Sequence, residues 1–393
     1  NVVLDYLDAM RGDDVSRENL RGEALVLRSW YYFHLVNFFG MPYNYGDPSV
    51  NPGVPLILSA EVKEDKPARN TVREVYEQIV NDMTLGRQLM LQNPKERNFF
   101  RIRPIAAAAM LARVYLYMEE WDKAIAYADT VLSEQSALVN LNTLTPPTVV
   151  NVTFATAESV YDTQNPVEII WGRQLGGCET YATDPGGNDG RIPYSVSDTL
   201  QNLVLAGKSL TDAIEGDWQG IRDVVDYRCL FYFSIAKDGR RPYLLAPNKN
   251  RRAGGGKLYQ GIRTAEVYLI RAEAYAQKNL ESPSGEFVQR ALADLNYLRL
   301  HRIASNYYEE LNITDPEELF TAVQKERRAE LCGETNNRWF DLRRWGMPAI
   351  SHRLYENANE TPTVTTIVPA QYALPIPEEA LDRNASLVQN IRQ

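Results

Sequence analysis

A chain of 393 residues, 44% apolar and 24% charged, has the balance of an ordinary globular protein with a sizeable core. Its net charge of −9, with no long basic stripe, argues against a nucleic-acid partner. The three cysteines (Cys178, Cys229, Cys332) lack C-x-x-C spacing, which argues against a disulfide framework or a zinc site, and no apolar run reaches the about 18 residues that a membrane span needs.

In chain order, the first predicted element is a helix over Glu18–Phe39, with Leu20, Ala24, Leu27, Tyr31, Leu35 and Phe38 on one apolar face. Gly40 stops it and Met41-Pro42 turns the chain out into Tyr43-Asn44-Tyr45-Gly46-Asp47-Pro48, turn chemistry with aromatics embedded. Thr71-x-x-Glu74 is a capping box opening a second helix, which completes a hairpin near 18–90. A second hairpin runs near 104–135. It carries Leu111-Ala112-x-x-Tyr115, Trp121 and Ala124-Ile125-Ala126-Tyr127-Ala128.

The same pattern returns as Arg271-Ala272-x-x-Tyr275 and Ala291-Leu292-Ala293-Asp294-Leu295 in a third hairpin near 264–302. Small alanines at a helix crossing, with an aromatic one turn along, mark tetratricopeptide-like hairpins. A fourth, near 315–346, opens on Asp315 as N-cap, Pro316 at N1 and Glu318 at N3. Glu326, Glu330 and Asp341 lie among Arg327, Arg328, Arg338, Arg343 and Arg344, a pattern that predicts an ion-pair lattice joining the last two helices.

Between the second and third hairpins, residues 138–262 lose helical periodicity and read as an insertion of loops, short strands and short helices. The tail over 363–393 is β-like and irregular. The fold class is therefore mainly α: about four tetratricopeptide-like hairpins with a loop-rich insertion, expected as one domain over 1–393.

Several stretches resemble one known family. Leu25-x-Leu27-Arg28-Ser29-x-Tyr31-Tyr32-Phe33-x-Leu35, ending Phe39-Gly40-Met41-Pro42, is similar to the first helix and aromatic-Gly-x-Pro exit of SusD/RagB-like proteins. Glu326-Arg327-Arg328-x-Glu330-Leu331 with Arg338-Trp339-Phe340-Asp341-Leu342-Arg343-Arg344-Trp345-Gly346 resembles that family's C-terminal signature. Leu374-Pro375-Ile376-Pro377, with Asn384 and Gln389-Asn390, resembles its closing motif. One departure is Leu331-Cys332-Gly333-Glu334-Thr335-Asn336-Asn337-Arg338, where the family usually reads Glu-Phe-x-x-Glu-Gly-x-Arg.

The resemblance implies an outer-membrane lipoprotein at the cell surface. It would sit over a SusC-like TonB-dependent transporter barrel and hold oligosaccharides, or in some members peptides, for import. Its lipid-bearing N-terminal Cys is missing here. The chain starts at Asn1, so an upstream segment carrying the membrane anchor is expected.

Catalysis finds little support. The histidines His34, His301 and His352 form no H-E-x-x-H or Glu-x-x-His pair, and no G-x-S-x-G elbow is present. Arg251-Arg252-Ala253-Gly254-Gly255-Gly256-Lys257 lacks the first glycine and the Ser/Thr of a phosphate loop. No catalytic residue, metal or cofactor is expected.

Binding fits better. A sugar offers an apolar C–H face and a rim of hydroxyls, so its receptor needs flat aromatic rings with polar groups at the edge, on loops held by a rigid frame. Tyr43, Asn44, Tyr45 and Asp47 supply that chemistry straight after a scaffold helix, where the family commonly contacts ligand. The insertion offers a second set in Tyr181, Arg191, Tyr194 and Trp218. Packing of these rings on neighbouring helices is the competing reading. An intracellular tetratricopeptide adaptor is the rival class. It would repeat in tandem at about 34 residues, which the long insertion argues against.

Overall fold

The computed structural model describes residues 1–62, 66–96, 98–145, 148–150, 153–155, 160–162, 165–174, 196–207, 224–238, 241–247, 258–334, 336–354 and 361–391. The chain groups into two compact units: Asn1–Thr130 with Trp339–Leu354 and Thr363–Gln393, and Val131–Arg338 with Tyr355–Pro362.

The first unit opens with α1 (Val2–Tyr6), α2 (Asp14–Phe39), α3 (Val72–Gln92), α4 (Pro104–Tyr117) and the start of α5 (Trp121–Glu134). Start chemistry fixes two of these helices. Asp13 caps α2 by accepting from the Ser16 N–H at 2.7 Å. At α3 the capping box closes both ways: Glu74 N–H donates to Thr71 Oγ1 at 3.2 Å, and Thr71 N–H to Glu74 Oε2 at 2.8 Å. The helices α2 and α3 touch at Gly22 and Gly86, where a Cβ on Gly22 would stand 2.5 Å from the Gly86 carbonyl oxygen. Next to them, Ala106–Ala109 and Ala112 of α4 and Ala124 and Ala128 of α5 are fully buried.

The buried face of α2 differs from the expected one. Tyr31 and Leu35 are 40% and 42% exposed, while Val26, Trp30, Phe33 and Val36 form the core face together with Asn19, Glu23, Ser29 and Asn37. Those polar residues are tolerated inside because each has a partner. Asn19 donates to the Asn93 carbonyl at 2.8 Å, and Glu23 accepts from Arg101 at 2.7 and 2.8 Å. Asn37 donates to Tyr76 Oη at 3.0 Å and to the Phe33 carbonyl at 2.8 Å.

The second unit continues through the insertion. Among the described residues its strands pair as antiparallel couples: β1 (Thr148–Val150) with β2 (Thr153–Ala155), β3 (Ile169–Gln174) with β6 (Leu258–Arg263), and β4 (Phe233–Asp238) with β5 (Arg241–Pro247). Short helices α6 (Asp198–Val204) and α7 (Arg228–Phe231) lie among them, followed by α8 (Thr264–Glu281), α9 (Gly285–Leu300) and α10 (Pro316–Glu330). Trp171 on β3 is buried beside Ile170, and the α8–α9 crossing buries Ala272, Ala276 and Ala291. Asp315 caps α10 by accepting from Glu318 N–H at 2.8 Å.

The ion-pair lattice forms, but with other partners than the last two helices. Glu330 accepts from Arg263 Nη1 at 2.6 Å and Arg302 Nε at 3.0 Å, and Glu168 accepts from both arginines at 2.8 and 2.6 Å. Arg228 joins Asp226 at 2.7 Å to Glu326 at 2.9 Å. Arg327 pairs with Glu273, and Asp341 with Arg344 one turn along its own helix. The lattice therefore ties α10 to the insertion, because Glu168, Asp226 and Arg228 supply its other half.

The chain returns to the first unit in α11 (Asn337–Arg344), the hairpin of β7 (Ile350–Leu354) and β8 (Thr363–Ile367), and the short α12 (Glu378–Arg383) within an irregular tail. Among the described residues no helix is long and apolar enough to cross a membrane.

Candidate functional site

The loop after α2 is held from its first residue. Gly40 N–H closes the helix on the Val36 carbonyl at 2.8 Å, and a side chain there would press within 2.9 Å of that same oxygen. Arg69 Nη2 donates to the Phe39 carbonyl at 2.7 Å, its Nε to the Gly53 carbonyl at 2.7 Å, and its Nη1 to Asn390 Oδ1 at 2.8 Å. Asn390 Nδ2 donates to the Phe39 and Leu374 carbonyls at 2.8 and 2.7 Å. Buried Arg343 donates to the Gly40 and Tyr372 carbonyls. Among the described residues neither arginine pairs with a carboxylate, and burial pulls Arg343 down to about 10.

Hydrogen bonds also fix the loop itself. Tyr45 N–H donates to the Pro42 carbonyl at 3.0 Å, and Asn51 Nδ2 donates to the Tyr45 carbonyl at 2.5 Å. Gly46 follows at φ +62°, a left-handed turn that favours glycine. Asp47 accepts from the Ser49 hydroxyl at 2.7 Å and the Ser49 N–H at 2.8 Å, and these bonds hold its carboxyl below the usual range. Asn44 Nδ2 donates to Glu119 Oε1 at 2.7 Å and to the Arg344 carbonyl at 2.9 Å. Both partners only accept, so the amide nitrogen must face them.

These contacts sort the four loop residues chosen from the sequence. Tyr43 is half-buried, its ring edge-on to Tyr76 at 5.0 Å, and burial raises its phenol. The Asn44 amide nitrogen and the Asp47 carboxylate build the loop. Tyr45 is the ring presented to solvent, 49% exposed, with its backbone held on both sides. Tyr181, Arg191, Tyr194 and Trp218 lie outside the described residues.

Two residues that the sequence reading passed over belong beside this loop. Glu119 anchors Asn44, and Lys123 lies 5.3 Å over the ring of Tyr115, which stacks on Tyr127 at 5.6 Å. The signal for Glu119 was faint: a glutamate directly after a helix end, where glycine is the common choice.

Such an arrangement can present a flat ring with hydrogen-bonding edges; it offers no poised proton-transfer pair. His34 is buried, its Nδ1–H donates to the Trp30 carbonyl at 2.8 Å, and burial lowers it to about 4. Cys229 is buried, and its thiol is pushed up by that burial. Among the described residues no group of three or more His, Cys, Asp or Glu is arranged to hold a metal.

Comparison with known proteins agrees with this architecture. Residues 1–116 match a SusD-like family profile described as "Starch-binding associating with outer membrane", and residues 241–392 match the SusD family profile. A SusD-like protein of Formosa agariphila is 23% identical, with 99% of this chain aligned to 76% of that one. A putative sugar-binding protein of Bacteroides vulgatus superposes with a TM-score of 0.73 at 23% identity, covering 99% of this chain and 81% of the other. A SusD superfamily protein of Bacteroides thetaiotaomicron gives 0.68 at 24% identity, over 100% and 83%. The helical, tetratricopeptide-like fold is thus that of SusD-like structures. The chain belongs to the SusD/RagB-like family.

Proposed function

We propose that this protein captures oligosaccharides at the bacterial cell surface and passes them, without turnover, to a SusC-like TonB-dependent transporter in the outer membrane. It is held there by a lipid anchor. Relatives described as starch-binding or sugar-binding support the ligand class. The single observation carrying the reading is Tyr45, a half-exposed ring on a loop whose backbone is pinned before and after it. A ring on an already fixed backbone gives up less freedom on stacking against a sugar face, so binding loses less to ordering. Asn44 Oδ1, with its nitrogen turned to Glu119 and Arg344, and the Tyr45 hydroxyl supply edge groups for sugar hydroxyls. Tyr43 and Asp47 shape the rim, and the insertion residues Tyr181, Arg191, Tyr194 and Trp218 are assigned to the same task.

A combined glycan and peptide array, read with the parent chain and Tyr45→Ala, tests this. Glycan signals that weaken in the variant are expected. Signals on peptides alone would move the protein to the oligopeptide-binding side of the family, and glycan signals indifferent to Tyr45 would refute the site.

A further inference from the structure

The end of α4 carries a residue in the wrong place for helix stability alone. Glu120 N–H donates to the Tyr115 carbonyl at 3.0 Å, and Glu119 N–H to the Leu116 carbonyl at 3.2 Å, the paired bonds of a Schellman turn. The residue between helix and turn is Glu119, at φ +60°. That left-handed position is where glycine is commonest, because an L side chain there crowds its own backbone. Glutamate brings strain to the spot and nothing to the helix end.

What it does bring is a carboxylate 2.7 Å from Asn44 Nδ2. The other hydrogen of that amide goes to the Arg344 carbonyl, in the last turn of α11, where helix carbonyls lack intrahelical donors. Asn44 thus bridges two helix ends, and the next residue is Tyr45. Pro42 and Asn51 fix the Tyr45 backbone, Tyr43 packs on Tyr76 of α3 and Asp47 binds Ser49, and none of these ties reaches α4. Glu119 makes that connection.

We infer that Glu119 is a positioning residue: it accepts backbone strain at the end of α4 so that its carboxylate can hold Asn44 and thereby set the pose of the Tyr45 ring. This rests on reading the Tyr43–Asp47 loop as a ligand site. The class of ligand is not part of the inference.

The prediction separates positioning from ordinary structural support, because the two move in opposite directions. Glu119→Gly relieves the backbone while deleting the anchor. Its melting temperature is expected to equal or exceed that of the parent. Amide exchange across Tyr43–Asp47 should quicken by about fivefold or more, the factor that one ordinary hydrogen bond contributes. Glu119→Gln keeps an acceptor oxygen and should restore slow exchange, whereas Asn44→Ala should exchange as Glu119→Gly does. On the glycan and peptide array, Glu119→Gly should weaken the same spots as Tyr45→Ala.

Unchanged loop exchange in Glu119→Gly, or failure of Glu119→Gln to restore it, overturns the inference. So does quickened exchange with array signals that only Tyr45→Ala weakens. If neither Tyr45→Ala nor Glu119→Gly alters the array while exchange still quickens, the anchor is real and the receptor reading is what falls.

Discussion

The two units hold irregular chain in place with arginines, but aim them differently. In the second unit Arg228, Arg263 and Arg302 face carboxylates, and Glu168 and Glu330 are each shared between arginines. Burial works against the charge of Arg302, yet Glu168 and Glu330 more than offset it and raise its pKa above the usual value. In the first unit Arg69 and Arg343 face backbone carbonyls of Phe39, Gly40, Gly53 and Tyr372. Carboxylate partners neutralise a buried cation. Carbonyl partners leave it charged but fix the path of the main chain directly, which is what a loop presenting a ring requires.

The contrast predicts unequal damage. Glu330→Gln takes away one of the two carboxylates that Arg263 and Arg302 share in a dry interior and leaves Glu168 to face both, and removing one partner of a buried pair costs about 3–5 kcal/mol. That is the largest expected loss of stability, read by denaturant unfolding. A loss below that of Arg343→Met would break the comparison.

Acid should then separate the units. His34, in the first unit, has a folded pKa of about 4 through burial, against an ordinary value of 6.5. Above pH 6.5 both folded and unfolded chains hold it neutral. As pH falls from 6.5 towards 4, the unfolded chain takes up a proton that the folded one refuses. Stability therefore drops across that window by about 3 kcal/mol. In the second unit the Glu326 carboxyl is held low: burial raises it, but Arg228 and Arg299 outweigh that. His34→Gln keeps a donor for the Trp30 carbonyl without the titration. Its unfolding free energy should decline less between pH 6.5 and 4, and a parallel decline would place the acid sensitivity elsewhere.

Arg343→Met comes next. It leaves two carbonyls without donors but no stranded charge, for about 1–3 kcal/mol.

These contrasts also explain what could be read from residues alone. Two helix starts were legible because capping is local: Thr71 with Glu74, and Asp315 with Glu318, lie within one turn, whereas α2 starts at Asp14, capped by Asp13, ahead of the expected Glu18. The buried face of α2 was not. Asn19, Glu23 and Asn37 look solvent-facing until their partners Asn93, Arg101 and Tyr76 are brought in from far along the chain. The lattice was half legible for the same reason: Glu326 and Glu330 lie together on α10, while Arg263, Arg302 and Glu168 are distant in sequence. At the candidate site, composition picked out the Tyr43–Asp47 loop, but only the fold distinguishes the Tyr45 ring from the Asn44 and Asp47 groups that hold it.

The most direct measurement is calorimetric titration of an array-selected glycan into the parent chain, Tyr45→Ala and Tyr6→Ala. Tyr6 is an equally bare ring, 59% exposed, on the short α1. Loss of a stacking ring is worth about 1.5 kcal/mol, roughly tenfold in affinity, and the account predicts that loss for Tyr45→Ala alone. Equal affinities for Tyr45→Ala and the parent would contradict it.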